Sequence, residues 1–187
     1  MDRLVEGILL RIKTGNLVDE ENAEIYQFGL ECMLLKAVHI MSYLVIGLCM
    51  GELLSLVVSG SILIPLRRKA GGFHAKTRIG CYIFSCGIIT LLCLFNKILI
   101  MPVMGIAGVI VADILVLLFA PVENENRELD AEERILFRKQ AICCMAVVNV
   151  ILVVMFLFGK YLFVAYWLEN GLIFAGILLL LGVMKKT

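Results

Sequence analysis

Long uncharged stretches constrain this chain more than any other feature of its sequence. Residues 79–95 contain no charged side chain, and neither do residues 141–159. Each stretch is close to the roughly 20 residues that a helix needs to cross a bilayer. Because 61% of the 187 residues are hydrophobic and only 18% are charged, a water-soluble fold could not cover its apolar surface. The sequence therefore predicts an all-α, polytopic integral membrane protein with a single domain.

Breaks in the apolar sequence divide the chain into six predicted transmembrane helices. One straight helix over residues 32–66 would be about 50 Å long, well beyond a hydrocarbon core of about 30 Å. Two spans that turn near Gly51-Glu52 fit this stretch better, and Asn96-Lys97 separates two more. The predicted segments are an amphipathic region at 1–31, spans one and two at 32–66, a polar loop at 67–78, spans three and four at 79–122, a second polar loop at 123–140, and spans five and six at 141–184.

The N-terminal region has the pattern of short amphipathic helices. Apolar side chains recur at helical spacing over residues 1–12, with charged side chains on the other face. This helix is too short to span, so it either lies in the membrane interface or packs on the protein's own core. Thr14-Gly15-Asn16 predicts a break, after which Asp19 or a neighbour caps a second helix. Mixed charges at 1–6 argue against a cleaved signal peptide.

The placement of Lys and Arg predicts which segments face the cytoplasm. With a cytoplasmic N-terminus, the inner segments carry three basic residues before Lys36, five at 67–78, four at 123–140 and two at the C-terminus. The outer turns carry only Lys97 and Lys160. Basic residues concentrate on the cytoplasmic side of membrane proteins. We therefore expect a multi-pass protein of the cell membrane whose termini and 67–78 loop are cytoplasmic.

The 67–78 loop and the residues after it contain a base and a thiol that suit nucleophilic catalysis. Histidine transfers protons near neutral pH, which qualifies His74 as a base. Cys81 lies near the start of a helix that Thr77 could cap, where the helix dipole favours a thiolate. On one continuous helix the two Cα atoms would be about 10 Å apart, so the chain must bend, as Gly71-Gly72 permits. The residues alone are also consistent with a histidine that is merely solvated and a cysteine that only fills space in the packing.

The run Arg67-Arg68-Lys69-Ala70-Gly71-Gly72-Phe73-His74-Ala75, followed by Cys81-Tyr82, resembles the signature of the accessory gene regulator B (AgrB) family. The total length, the amphipathic N-terminus, the six predicted spans and Ala120-Pro121 at the end of the fourth are similar as well. The family consists of bacterial membrane cysteine endopeptidases that process a quorum-sensing propeptide. One difference lies at 123–140, where this chain has six acids against four bases and the family is predominantly basic.

The resemblance implies a role for each residue of the motif. Cys81 is expected to be the nucleophile and His74 the general base, with Arg67 and Gly72 in positioning roles. Cleavage would release the C-terminal tail of an amphipathic, AgrD-like propeptide and leave a Cys81 thioester, which an internal cysteine or serine of the peptide captures as a thiolactone or lactone. The resemblance also implies a homodimer in the bilayer. No cofactor or metal is expected, because the seven cysteines lack a paired spacing for zinc.

Other features admit different functions. Asp113 is the only acid deep in its predicted span, and such residues are either helix-packing partners or functional groups. It provides the basis for an alternative, a non-enzymatic small-peptide transporter or export component. A third possibility is a membrane scaffold whose basic loop binds anionic lipid. We expect His39 to serve packing or hydrogen bonding, and Gly105 and Gly108 to serve close helix packing. No nucleic-acid motif is present.

Overall fold

The described residues of the computed structural model are 23–73, 75, 77–98, 102–123, 129–159 and 161–186. Within them every regular element is an α-helix. The helices are α1 (Ala23–Met50), α2 (Leu53–Ala70), α3 (Arg78–Lys97), α4 (Pro102–Phe119), α5 (Ala131–Phe158) and α6 (Leu162–Lys186). The amphipathic helix predicted over residues 1–12, the break at 14–16 and the Asp19 cap lie outside the described residues.

The chain forms two compact units, Met1–Val45 and Ile46–Thr187, and the boundary falls within α1. In the first unit, the described part of α1 carries large apolar side chains that are exposed, among them Ile25 and Phe28. A lipid environment would accommodate such a helix. The His39 ring donates from Nδ1 to the Leu35 carbonyl at 2.7 Å and lies edge-on to Tyr43. The hydrogen-bonding role predicted for His39 is therefore confirmed.

Among the described residues, four helices are long and apolar enough to cross a membrane, namely α1, α3, α5 and α6. The apolar part of α4, Gly105–Phe119, is shorter. The last turn of α2 carries Arg67, Arg68 and Lys69, so its apolar length is also reduced. The structure thus supports an all-helical membrane protein, and spanning by α2 and α4 stays a prediction.

The core of the second unit is built around α6. In its apolar span 61% of the residues are buried, against 28% in α3 and 22% in α5. Leu172, Leu178 and Leu179 are fully covered by the surrounding helices. A Cβ added at Gly108 would lie 2.7 Å from Cδ1 of Ile173, so α4 packs closely against α6 at this glycine. The prediction of close packing at Gly108 is confirmed.

At three of the predicted segment boundaries the helix is longer than its apolar core. α1 runs through Cys32 without the predicted division between an amphipathic helix and a span. α2 continues through its basic last turn to Ala70, and α5 begins at Ala131 inside the predicted 123–140 loop. Glu, Arg and Lys are good helix formers, so charge ends an apolar run without ending the helix. The predicted breaks at Gly51-Glu52, Asn96-Lys97 and Ala120-Pro121 are confirmed.

Asp113 makes a contact between helices. Its Oδ2 accepts a hydrogen bond of 2.8 Å from Nδ2 of Asn149 and thereby links α4 to α5. A buried carboxylate needs such a donor in a medium of low dielectric constant. This contact agrees with the packing role among the two predicted for Asp113.

Candidate active site

The site starts where α2 ends, at a glycine whose backbone only glycine readily adopts. Gly71 has φ 80° and ψ −162°, and its N–H still donates to the Arg67 carbonyl at 3.0 Å. Beside it, Val122 donates its N–H to the Ala70 carbonyl at 2.8 Å and forms a parallel bridge with Gly71. A Cβ on Gly71 would collide with the Val122 carbonyl oxygen. The segment after α4 therefore fixes the point at which the chain leaves α2.

The next residues dock on the second half of α6. Phe73 donates its N–H to the Leu178 carbonyl at 3.0 Å. Gly182 provides the room for this contact, because a Cβ there would lie 2.7 Å from the carbonyl carbon of Gly72. Gly72 has φ 149°, and a side chain on it would approach the Leu178 carbonyl to 3.1 Å. Gly72 and Gly182, which are far apart in the sequence, thus allow the backbone of the loop to pack against the backbone of α6.

Phe73 is held on several sides, immediately before the predicted base. The Arg67 guanidinium donates from Nη2 to the Phe73 carbonyl at 2.9 Å. The Phe73 ring packs against Phe84 of α3 with centroids 4.6 Å apart, and Lys185 Nζ lies 5.5 Å from the same ring. Helices α2, α3 and α6 therefore all contribute to the position of this residue. Arg67 thus holds the Phe73 carbonyl group, and its positioning role in a reaction stays a prediction.

Arg67→Ala should loosen this docked backbone. A hydrogen bond to a charged group contributes about 1.5–3 kcal/mol, so the Phe73 amide should exchange its hydrogen roughly 10–100-fold faster in the variant. Hydrogen-exchange mass spectrometry of the protein in detergent measures this rate. Arg68→Ala is the matched control, because Arg68 is an exposed neighbour in the same turn. Equal exchange in both variants would contradict the role assigned to Arg67.

The thiol follows at the start of α3. Thr77 is the N-cap, with extended backbone and a side-chain oxygen that accepts from the Gly80 N–H at 3.0 Å. The Cys81 N–H donates to the Thr77 carbonyl at 2.9 Å, which sets Cys81 in the first turn. Its side chain is a half-buried free thiol at the helix end where the dipole presents partial positive charge. The helix start and the cap predicted at Thr77 are confirmed.

The structure describes three of the four predicted site residues. Arg67 and Gly72 meet at the docked backbone around Phe73, and Cys81 lies at the head of the next helix. His74 lies outside the described residues, so its contact with Cys81 stays a prediction. The chain between Gly71 and Thr77 is not helical where it is described. The required departure from one continuous helix is therefore present.

Sequence reasoning missed the part that α6 plays. Leu178 and Gly182 sit in a predicted span of apolar residues, where neither carries a local signal of contact with a distant loop. Leu178 acts through its backbone carbonyl, to which its side-chain type gives no clue. Gly182 is one of 16 glycines in the chain. Phe73 stood inside the recognised motif but was assigned no role there.

Comparison with known proteins gives one match. No curated protein and no solved structure matches the chain. The family model described as accessory gene regulator B matches residues 6–184, which is nearly the whole sequence and includes the docked loop and most of α6. The protein is therefore a member of the accessory gene regulator B family.

Proposed function

We propose that this protein is a membrane cysteine endopeptidase that processes a quorum-sensing propeptide, with Cys81 as nucleophile and His74 as general base. The observation that carries the proposal is a half-buried thiol in the first turn of α3, directly after a loop anchored at Phe73. A nucleophile needs a fixed position and a base within reach. Membership of the family supports a part in peptide processing for quorum sensing.

In the proposed reaction His74 takes the proton of the Cys81 thiol, and the resulting thiolate attacks a peptide carbonyl of the propeptide, forming a C–S bond. The C–N bond breaks, His74 gives a proton to the leaving amine, and the C-terminal tail departs. The remaining fragment is held as a thioester on Cys81. An internal thiol of the peptide then loses its proton to His74 and attacks the thioester. This step expels the Cys81 thiolate and closes a thiolactone, or a lactone where the peptide offers a serine.

Anchoring of the loop supports this mechanism because acyl transfer depends on position. A displacement of about 1 Å at a reacting group can reduce the rate of a reaction about 100-fold. The Phe73 backbone is bonded at its N–H to Leu178 and at its carbonyl to Arg67. The backbone immediately before His74 is therefore anchored. In this proposal Arg67 and Gly72 are positioning residues.

We further propose a cytoplasmic position for the loop and for both termini, in a bacterial cell membrane. The basic residues at the end of α2 and of α6 lie at the same end of the second unit, since Lys185 approaches Phe73. This agrees with an inner face rich in Lys and Arg. An amphipathic, AgrD-like propeptide would gather at that membrane surface, where its effective concentration near the enzyme is raised. A homodimer is part of the same proposal.

Trapping of the acyl intermediate tests the proposed function. The protein is co-expressed with an amphipathic, AgrD-like propeptide whose ring-forming cysteine is replaced by alanine. We expect a covalent adduct with the mass of the N-terminal fragment, sensitive to hydroxylamine and mapped to Cys81 among the seven cysteines. An adduct on another cysteine would contradict the mechanism. Release of the tail with no adduct detectable before a thioester would hydrolyse would contradict it as well. A transporter would produce neither adduct nor cleavage.

A further inference from the structure

A cavity with polar and apolar walls lies at the end of α3 opposite to Cys81. Asn96, in the last turn of α3, contributes to its wall, and the helix separates it from Cys81 by about 22 Å at 1.5 Å per residue. The cavity has a volume of about 420 Å³, and the start of α4 and the first half of α6 supply most of the remaining wall. Cavities of this size accommodate small organic ligands. This one is remote from the proposed reaction.

Glu169 faces the cavity, and no described residue is a hydrogen-bond or ion-pair partner of its carboxylate. Its residue exposure is 2%, and its carboxylate lies against Gly105, where an added Cβ would come 2.5 Å from Oε2. Among the described residues, none donates a hydrogen bond or offers a cation to this carboxylate. A buried carboxylate without a donor carries a large desolvation cost. Its position in a membrane helix adds to that cost, which a bound donor would offset.

The neighbouring polar wall is held in place by a chain of hydrogen bonds. Asn170 donates from Nδ2 to Oδ1 of Asn96 at 3.0 Å, and Asn96 donates from Nδ2 to Oγ of Ser59 at 3.1 Å. Ser59 in turn donates to the Ser55 carbonyl at 2.7 Å. The chain links α6, α3 and α2 and fixes the two asparagines beside Glu169. The cavity thus has a polar wall held in place by hydrogen bonds, beside a carboxylate to which no described residue donates.

Aromatic rings form another wall. Phe163 and Trp167 pack edge to face with centroids 5.2 Å apart, and Tyr166 lines the same space. Aromatic faces attract cations, and they also cover apolar groups. A carboxylate beside aromatic rings suits a cation that carries an apolar body. A small hydrated metal ion would instead need several oxygen ligands around a tighter space.

We infer that this cavity binds a primary ammonium group on an apolar body. The ammonium would donate hydrogen bonds to Glu169 and to the asparagine wall. The apolar body of the ligand would pack against Trp167 and its aromatic neighbours. Two sources carry this chemistry, namely the free amino terminus of a short hydrophobic peptide and a simple alkylamine. The inference does not depend on the peptidase proposal, because neither Cys81 nor the docked loop takes part in it.

Fluorescence of Trp167 provides a direct test, since it is the only tryptophan in the chain. The full-length protein in nanodiscs is titrated with phenylethylamine and with its neutral hydroxyl isostere, phenylethanol. We expect a saturable change with the amine and binding at least about tenfold weaker with the alcohol. Glu169→Gln should weaken amine binding by at least tenfold and leave alcohol binding unchanged. Asp113→Asn, which removes a charge outside the cavity, is the matched control and should bind the amine like wild type.

The outcomes decide the inference and the source of the ligand. Unchanged amine affinity in Glu169→Gln, equal affinity for amine and alcohol, or no saturable change with any amine would overturn it. If Glu169→Gln fails to fold, Gly105→Ala serves in its place, because its Cβ displaces the Glu169 carboxylate and should also weaken amine binding. A third titration uses Phe-Ala-amide and its N-acetyl form. Binding of the free form alone, at least as tight as phenylethylamine, assigns the site to peptide amino termini; weaker binding assigns it to alkylamines.

Discussion

Cys81→Ala is expected to abolish cleavage of the propeptide, and His74→Ala to slow it by about 10²–10⁴-fold. Without the thiol no acyl intermediate can form, so no slower version of the same path remains. Loss of a general base leaves the thiol in place but removes the group that takes and returns the proton. The measurement is the mass of the peptide after co-expression, followed by rates for purified protein in nanodiscs. Thermal unfolding should be unchanged in both variants.

Cys86→Ala is the matched control for the nucleophile. Cys86 lies further along α3 and is half-buried like Cys81, but it stands deeper in the helix and away from the Thr77 cap. We expect it to process the peptide at the wild-type rate. If Cys86→Ala were as inactive as Cys81→Ala, packing of α3 and not nucleophilic attack would explain the loss. If Cys81→Ala retained cleavage, the peptidase proposal would be lost.

Gly71→Ala is the second change with a large expected effect. The backbone of Gly71 lies in a region that residues with a side chain rarely enter, which costs about 1–3 kcal/mol. The new methyl group would also collide with the Val122 carbonyl. Because Val122 contributes backbone atoms to this clash, it can be relieved only if the loop moves. We expect a loss of roughly 3 kcal/mol in the free energy of unfolding. Processing should fall about 100-fold, because the loop that leads to His74 is displaced.

A second glycine separates the effect of this site from that of glycine in general. Gly87 is an exposed helical residue of α3, and a Cβ there meets nothing within 4 Å. Gly87→Ala should leave stability equal to or slightly above that of wild type, since alanine favours a helix by about 1 kcal/mol. Denaturant unfolding in detergent, combined with the peptide assay, measures both variants. Similar behaviour of the two would show that the loop accommodates a side chain at residue 71.

Local features of the site could be predicted because their causes are local. Thr77 is a favourable N-cap residue, and a hydroxyl that accepts from the N–H three residues on needs no distant partner. Gly51, with φ 69°, ends α1 for the same kind of reason. The His74 and Cys81 spacing required a departure from one helix, and Gly71-Gly72 stands at the point where the chain makes it. At these positions the physical cause lies in neighbouring residues, so the sequence alone suffices to predict the local structure.

The remaining features depend on which helices meet. Docking of Phe73 on Leu178 requires that α6 pass beside the loop, and no periodicity in the apolar run from Leu162 specifies its neighbours. The extension of α5 to Ala131 was hidden by its charge, although Glu123 pairs with Arg134 and the Leu117 carbonyl accepts from Arg138 at 3.1 Å. Glu169 gave no signal of a cavity in the sequence, because the space beside it exists only where α4 and α6 meet.

The contact between Gly72 and Gly182 has a consequence for biosynthesis. Ribosomes deliver a chain from its N-terminus, so helices α2 and α3 are made well before α6. Until α6 arrives, the Phe73 amide lacks the Leu178 carbonyl and the Arg67 contact has no anchored backbone to hold. A nascent chain therefore carries its thiol without the arrangement that would direct it. The order of synthesis therefore delays anchoring of this loop until the last helix is in place.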